Sequence, residues 1–250
     1  MRVFDLLLPA TAVAIVGACA IDHVIATPTK PPVARTITAG PAADPRLAGL
    51  PLIALPAVGA GDTLAVLYSG DGGWAAIDRG MSGRLVRAGI PVVGLDSLRY
   101  FWTARTPDAA AADLSAVLRR YMAAWGKSRI LLVGYSFGAD ALPTIIAHLP
   151  ADLRGRLRLV ALVGVGATGE LQFRPADWLD LNHASAYPIA PALAALKGVP
   201  MICIYGDRER DPACPRFPRG MIGGLRLAGG HHYDGAFTMV SDSILGALPD

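Results

Sequence analysis

The sequence has little of what marks several large classes of protein. Only 17% of its 250 residues are charged, and the formal net charge of +3 is too small to argue for nucleic acid as a partner. No long basic run appears, and 53% of the residues are hydrophobic, so the chain is globular rather than disordered. The length suits one large α/β domain, and a role in nucleic acid binding is not expected.

Long hydrophobic runs are also scarce. The uncharged stretch Leu6–Val16 is eleven residues long, too short to span a bilayer, and residues 1–18 read as a signal peptide. The small residues before Cys19 resemble the lipobox of bacterial lipoproteins, which implies cleavage before Cys19 and acylation of its thiol. Ordinary signal cleavage close to this cysteine and an uncleaved membrane anchor are the alternatives.

The region after the signal peptide lacks apolar periodicity. Residues 19–46 are rich in proline, alanine and threonine, which is typical of an extended tether. The folded domain is expected over residues 47–250. If the lipobox functions, the tether would connect this domain to a membrane.

Cysteine is rare, with three in the whole chain. Cys203 and Cys214 flank one loop, and in an exported protein they would pair in a disulfide. The alternative is two reduced thiols, one of them in a buried strand. No third ligand is spaced to complete a zinc site with the adjacent His231 and His232, so neither a metal nor another cofactor is predicted.

The clearest feature that is present surrounds Ser136. The apolar run Arg129–Val133 precedes the sequence Gly134-Tyr135-Ser136-Phe137-Gly138, and a helix pattern follows it. A buried strand, a G-x-S-x-G turn and a helix form the nucleophile elbow of α/β-hydrolases. Ser136 is therefore the predicted nucleophile, and the N–H of Phe137 is predicted to belong to the oxyanion hole.

A second glycine-rich turn supports this prediction. Thr63–Tyr68 reads as an inner strand, and residues 69–74 follow it with three glycines. α/β-Hydrolases place the second oxyanion-hole N–H after this strand, which points to Asp71. A plain loop or a phosphate loop is the alternative, but no Gly-Lys-Ser or Gly-Lys-Thr follows the turn to favour phosphate.

The predicted base lies near the end of the chain. A histidine can take the serine proton near neutral pH, and the chain order of serine, acid and histidine is that of α/β-hydrolases. His231 follows a glycine pair directly and is the preferred base. His232 is the alternative and would otherwise support the turn.

The predicted acid lies in the loop after the penultimate strand. In many hydrolases it stands three residues after the glycine that ends this strand, and counting from Gly206 gives Glu209. Asp207 and Asp211 remain alternatives. A disulfide between Cys203 and Cys214 would clamp this loop and hold the acid in register.

The alternation of strands and helices predicts the fold class. It indicates a three-layer α/β-hydrolase fold, with a mostly parallel central sheet and helices on both faces. The stretch 166–197 lacks a strand pattern and is expected to form a small cap, in which His183 would be a surface or packing residue.

Residues 96–102 follow another predicted strand, at the sheet edge where such folds carry their sites. Arg99 or Arg105 could meet an anionic group of a substrate, or these arginines could pair with aspartates instead. Asp96 could meet a cationic group. The aromatic residues Tyr100 and Trp102, together with Trp74, either pack or offer a surface to a partner.

Six long motifs carry a resemblance to a known family. They are SGDGGW (69–74), DSLRYFW (96–102), RTP (105–107), GYSFGAD (134–140), CIYG (203–206) and GGHHYDG (229–235). Together they resemble the VirJ/AcvB family of bacterial virulence proteins, over about residues 50–248. The family's serine motif matches Ser136, and its GGHH motif matches His231 and His232. The resemblance implies a periplasmic protein with an α/β-hydrolase fold.

The resemblance also implies two classes of function. AcvB-type members are linked to hydrolysis of aminoacylated phosphatidylglycerol, such as lysyl-phosphatidylglycerol, and VirJ-type members to type IV secretion. A membrane phospholipid would then be the substrate, with Asp71, Asp96 or Asp140 meeting its amine and Arg99 its phosphate. In the second case the protein would be an adaptor with secretion-system proteins as partners. Long members carry an extra N-terminal domain where this chain has its short tether.

Overall fold

The computed structural model describes residues 44–174 and 186–249, all of which belong to one compact unit. The predicted signal peptide, Cys19 and most of the predicted tether lie outside the described residues, as does His183. The last tether residues are described: Asp44 caps a short 3₁₀ helix, Pro45–Leu47, by accepting a hydrogen bond from the Arg46 N–H.

A seven-stranded sheet forms the centre of the domain, and its strand order is β1-β3-β2-β4-β5-β8-β9. Only β1 runs antiparallel to its neighbour; the other pairs are parallel. A separate antiparallel pair consists of β6 and β7. The strands are β1 (Leu52–Leu55), β2 (Thr63–Tyr68), β3 (Val92–Leu95), β4 (Arg129–Tyr135), β5 (Leu157–Val163), β6 (Thr168–Gly169), β7 (Tyr187–Pro188), β8 (Met201–Gly206) and β9 (Gly223–Leu227).

Helices cover both faces of this sheet. On one face α1 and α7 pack with side chains such as Met81 and Val240, and on the other α3, α4 and α6 pack with side chains such as Leu114 and Leu193. The described α-helices are α1 (Ala76–Arg87), α2 (Ser97–Tyr100), α3 (Pro107–Trp125), α4 (Phe137–Ala147), α5 (Ala151–Arg154), α6 (Ile189–Ala195) and α7 (Phe237–Ala247). Short 3₁₀ helices also span Cys214–Arg216 and Tyr233–Gly235.

The inner strands are buried because both of their faces meet helices. Every residue of β2 is buried, and its side chains alternate between the two hydrophobic layers: Leu64 and Val66 point to one, Ala65 and Leu67 to the other. A continuous apolar run is what a parallel strand covered on both faces requires. The predicted fold class, a mostly parallel sheet between two helical layers, is confirmed.

Helix α3 shows how local signals set an element's bounds. The Thr106 hydroxyl accepts a hydrogen bond from the Ala109 N–H, Pro107 occupies the first turn, and Gly126 ends the helix in a left-handed conformation with φ of 64°. Because β3 and β4 both run parallel to β2, the chain that leaves β3 toward α3 starts at the same sheet edge as the elbow.

The stretch after β5 differs from the expectation of a segment without strands. It contains the β6–β7 pair and α6, although each of these strands has only two residues. Two residues are too few for an alternating pattern, so the pairing could not be detected from sequence. Within the described residues, no helix has the length and apolar character that crossing a bilayer demands.

Candidate active site

Ser136 lies in a strained turn between β4 and α4. Its φ of 49° and ψ of −120° are rare for a residue with a side chain, and its N–H donates to the carbonyl oxygen of Val163, 2.8 Å away. A Cβ at Gly134 would lie 2.6 Å from the Ala139 Cα, and one at Gly138 would lie 2.5 Å from the Tyr68 oxygen. The two glycines of the G-x-S-x-G motif are therefore needed for β4, α4 and β2 to approach one another.

Hydrogen bonds connect the side chains of Ser136, His231 and Glu209, the three residues predicted for catalysis. The Nε2 atom of His231 lies 2.9 Å from the Ser136 Oγ, and its Nδ1 atom lies 2.5 Å from the Glu209 Oε1. The other oxygen of Glu209 accepts the N–H of Gly206 at 3.2 Å, which fixes the carboxylate. The arrangement matches the geometry of a serine, histidine and acid triad.

The remaining sequence alternatives have other partners. Asp207 accepts the N–H of Gly229 at 2.9 Å, and Asp211 pairs with Arg216 on the surface at 2.5 Å. The Nδ1 atom of His232 lies 2.6 Å from the hydroxyl of Tyr135. Of the two histidines His231 therefore contacts the serine, and of the three acids Glu209 contacts that histidine.

A glycine that the sequence reading did not single out makes room for the base. Gly164, directly after β5, has a φ of +63°, and a Cβ built there would lie 2.8 Å from the Cε1 atom of His231. A side chain at this position would push the imidazole away from Glu209. Its position directly after a buried strand was the available signal, but the neighbour that needs the space is 67 residues later in the chain.

Carboxylates give the site a negative potential. The hydrogen bond that Glu209 accepts from the imidazole raises the pKa of His231, burial opposes this, and the charges of Glu209, Asp140 and Asp71 add to the rise. Burial raises the pKa of Asp140 to about 7, although the N–H of Gly166 donates to its Oδ1 at 2.7 Å and lowers it. The carboxylates of Glu209 and Asp71, and that of Asp140 when it is ionised, therefore favour cationic groups near the reacting atoms.

The predicted oxyanion-hole residues lie on the two loops beside the serine. Phe137 is the first residue of α4, where an N–H has no acceptor within the helix. Gly70, next to Asp71, lies so close that a Cβ there would be 3.5 Å from the Ser136 Cβ. The glycine-rich turn therefore lies against the nucleophile, as the sequence indicated.

Asp96 and Arg99 line a groove that Ser136, Glu209 and His231 do not line. Asp96 caps α2 by accepting the Arg99 N–H at 3.1 Å, and both residues line a groove of about 560 Å³. Its walls are formed by Gly49, Leu50, Pro51, Leu52, Ile53, Trp74, Asp96 and Arg99.

The three candidate surface aromatics differ in exposure. Tyr100 is 1% exposed and its hydroxyl donates to Asp113 at 2.7 Å, so it is a packing residue. Trp74 is half-buried. Trp102 is 58% exposed and stacks on Phe173 with ring centroids 5.8 Å apart. Of these three, Trp102 is the one that offers substantial apolar surface.

The acid loop carries a disulfide. Cys203 in β8 and Cys214 in the following 3₁₀ helix are bonded, with Cα atoms 5.8 Å apart. Glu209 lies inside the ring that this bond closes. The structure therefore contains the predicted pair in a position to restrain the acid.

Several solved structures share a fold with the chain. An esterase from Pyrococcus furiosus superposes with a TM-score of 0.54 at 13% identity, over 81% of this chain and 93% of that one. A bromoperoxidase from Bacillus anthracis superposes with a TM-score of 0.55 at 16% identity, over 80% of this chain and 95% of that one. The thioesterase domain from the curacin biosynthetic pathway superposes with a TM-score of 0.51 at 16% identity, over 78% of this chain and 94% of that one. The fold is that of the α/β-hydrolases.

The sequence itself places the chain more narrowly. The family model of VirJ, described as a bacterial virulence protein, matches residues 62–250. The chain belongs to the VirJ family, which confirms the resemblance drawn from the six motifs. No curated protein matches it.

Proposed function

We propose that this protein is a serine hydrolase that cleaves carboxylic esters. The observation that carries the proposal is the row of hydrogen bonds from Ser136 through His231 to Glu209, at 2.9 and 2.5 Å. The serine lies at the carboxyl edge of a parallel sheet, beside two loops whose N–H groups could stabilise an oxyanion. A hydrogen-bonded nucleophile, base and acid on one fold is the minimum that acyl transfer requires.

The reaction would proceed in two halves. His231 takes the Ser136 proton at Nε2 while the Oγ attacks the ester carbonyl, and Glu209 stabilises the imidazolium through Nδ1. The N–H groups of Phe137 and Asp71 hold the negative oxygen, and the leaving alcohol then takes the proton from Nε2. A water molecule, activated by the same imidazole, attacks the acyl-serine and releases the acid.

The proposed substrate is an aminoacylated phosphatidylglycerol such as lysyl-phosphatidylglycerol. Its acyl group carries ammonium charge, and the carboxylates of Asp71 and Asp140 lie close enough to His231 to raise its pKa. They would attract that cation toward the scissile ester. Asp96 and Arg99, in their groove beside the glycine-rich turn, are proposed to contact the headgroup, with the Arg99 guanidinium on the phosphate.

The proposed location is the periplasm, at a membrane. Residues 1–18 would direct export, and acylated Cys19 with the tether of residues 19–46 would hold the domain of residues 47–250 near its lipid substrate. Tethering raises the local substrate concentration without any new contact in the site.

A second candidate function is an adaptor for secretion-system proteins. Trp102 favours it, because an indole 58% exposed beside the site is a ready contact for a protein partner. An adaptor would not need the Ser136 hydroxyl, so the two functions can be separated by one substitution.

The test is a lipid hydrolysis assay on the purified protein. Lysyl-phosphatidylglycerol, alanyl-phosphatidylglycerol and a short-chain aryl ester are offered to wild type and to Ser136→Ala. Amino acid release that depends on Ser136 is the expected result. Cleavage of the aryl ester alone would retain the triad and reject the lipid substrate, and a folded wild type that cleaves none of them would favour the adaptor.

A further inference from the structure

Tyr135, the residue before the nucleophile, lies where three catalytic loops meet. It ends β4 and is 4% exposed. Its hydroxyl lies 2.6 Å from the His232 Nδ1 and 3.4 Å from the carbonyl oxygen of His231. A Cβ at Gly70 would lie 3.2 Å from its ring, so the same side chain packs against the glycine-rich turn.

The histidine loop needs such support because its backbone is strained. Tyr233 and Asp234 follow the two histidines with φ of 49° and 50°, in the left-handed region that residues with side chains seldom adopt. Strain of this kind persists only where surrounding contacts hold it. One anchor is the Tyr233 hydroxyl, which donates to the Ile204 carbonyl at 3.1 Å, and the Tyr135–His232 contact is another.

Two arrangements of protons satisfy the hydrogen bond between Tyr135 and His232. Burial, followed by the charges of Asp78, Asp71 and Glu209, raises the pKa of Tyr135, so the phenol stays protonated. When its O–H donates to the Nδ1 of His232, the proton of the neutral imidazole is on Nε2. In the tautomer that carries the proton on Nδ1, this N–H donates to the phenol oxygen, and the phenol O–H is free to donate to the His231 carbonyl oxygen.

We propose that Tyr135 and His232 form a positioning pair, which holds the His231 imidazole in register with both Ser136 and Glu209. Neither residue touches the reacting atoms in this role. The pair connects the residue before the nucleophile to the residue after the base, so it fixes the separation of Ser136 and His231. The inference rests on the proposed function, since the pair is assigned to the triad of Ser136, His231 and Glu209.

The test combines kinetics with NMR on the full chain. Tyr135→Phe removes one oxygen and keeps the ring against Gly70. We expect kcat to fall about fivefold to tenfold with KM changed by less than about twofold, as for loss of one hydrogen bond that acts on orientation. In the NMR titration, the pKa of His231 should move from its raised position toward its ordinary value.

Variants at the other partner separate positioning from general stability. His232→Ala should match Tyr135→Phe, and the double variant should be no worse than either single one, because both remove the same contact. His232→Asn, which offers an oxygen near the place of Nδ1, should recover most of the loss seen with His232→Ala. Thermal unfolding of each variant shows whether it is folded.

Two results would overturn the proposal. One is a folded Tyr135→Phe in which the pKa of His231 is unchanged; the other is strictly additive losses in the double variant. The NMR measurement needs no substrate. A wild type that hydrolyses no ester would therefore reject the proposed function while the effect of Tyr135 on His231 is still decided.

Discussion

The nucleophile turn and the histidine and acid loops are held in place by different forces. The turn around Ser136 depends on close backbone approach, because a Cβ at Gly134 or Gly138 would lie 2.5–2.6 Å from neighbouring backbone atoms. No polar side chain is required for that part of its geometry.

The histidine and acid loops depend on polar links between distant residues. Asp207 accepts the N–H of Gly229, the N–H of Arg208 donates to the oxygen of the same glycine at 2.9 Å, and the Arg208 guanidinium pairs with Asp234. The disulfide adds a covalent restraint to the acid loop. The geometry around Ser136 is therefore set by the small size of its glycines, and that of the histidine and acid loops by hydrogen bonds, an ion pair and a disulfide.

The largest expected effect is in the histidine and acid loops. Glu209→Gln keeps the shape but removes the charge that orients and stabilises the imidazolium, and kcat should fall about 10³-fold. Ester hydrolysis at saturating substrate measures it. Asp211→Asn is the matched control, because Asp211 pairs with Arg216 on the surface, and it should stay within about twofold of wild type. Equal losses in both variants would reject Glu209 as the acid.

In the turn around Ser136, Gly138→Ala should lower the free energy of unfolding by about 3 kcal/mol, because the added methyl meets the Tyr68 and Ser69 carbonyl oxygens. Urea unfolding measures this change. Gly246→Ala, at an open position in α7, should leave stability unchanged or raise it by up to about 1 kcal/mol. A neutral Gly138→Ala would show that the turn has more room than the structure gives it.

A third prediction concerns the restraint on the acid loop. Replacing Cys203 and Cys214 together by alanine should cost about 2–3 kcal/mol of unfolding free energy, as expected for a ring closed over a sequence separation of 11. Urea unfolding with and without reductant provides the control, since reductant should weaken wild type and leave the double variant unchanged. Wild type that is insensitive to reductant, when its thiols are shown to be free, would contradict the prediction.

The smallest expected effect is on pH dependence. The base must be neutral, and Glu209 raises the pKa of His231, so kcat/KM should be low at acid pH and rise as pH passes that raised pKa. Asp140→Asn removes a charge that contributes to the rise while keeping an acceptor for Gly166. The acid limb of the profile should therefore move to lower pH.

A surface carboxylate serves as the comparison for that shift. Asp242 of α7 pairs with Arg84 of α1, so Asp242→Asn should leave the pH profile of kcat/KM unchanged. A profile for Asp140→Asn that moves to higher pH would contradict the electrostatic assignment.

The contrast between the sterically set turn and the loops held by polar links also explains how much could be predicted from sequence. The elbow was predictable because its glycines, the strand β4 and the helix α4 are contiguous, and steric need is visible in residue type. The strand β2 and the capped helix α3 were predictable for the same reason, since burial on both faces and capping residues act locally.

Residues that act through distant partners could not be assigned in this way. The loop after β8 has three acids within five positions, and only the contact with His231, 22 residues later, separates Glu209 from Asp207. Gly164 and Tyr135 were missed because the imidazoles that they contact lie 67 and 97 positions away. Asp96 caps α2 and lines, with Arg99, a groove that Ser136, Glu209 and His231 do not line, so the contact of these two residues with substrate stays a prediction.

Covalent trapping tests directly whether Ser136 is an activated nucleophile. A fluorophosphonate ester is incubated with wild type, Ser136→Ala and Glu209→Gln, and the labelled residue is identified by peptide mass spectrometry. We predict stoichiometric labelling of Ser136 with loss of ester hydrolysis, much slower labelling of Glu209→Gln and none of Ser136→Ala. A folded wild type that is not labelled, or a Ser136→Ala variant labelled as fast as wild type, would contradict the assignment of Ser136 as an activated nucleophile.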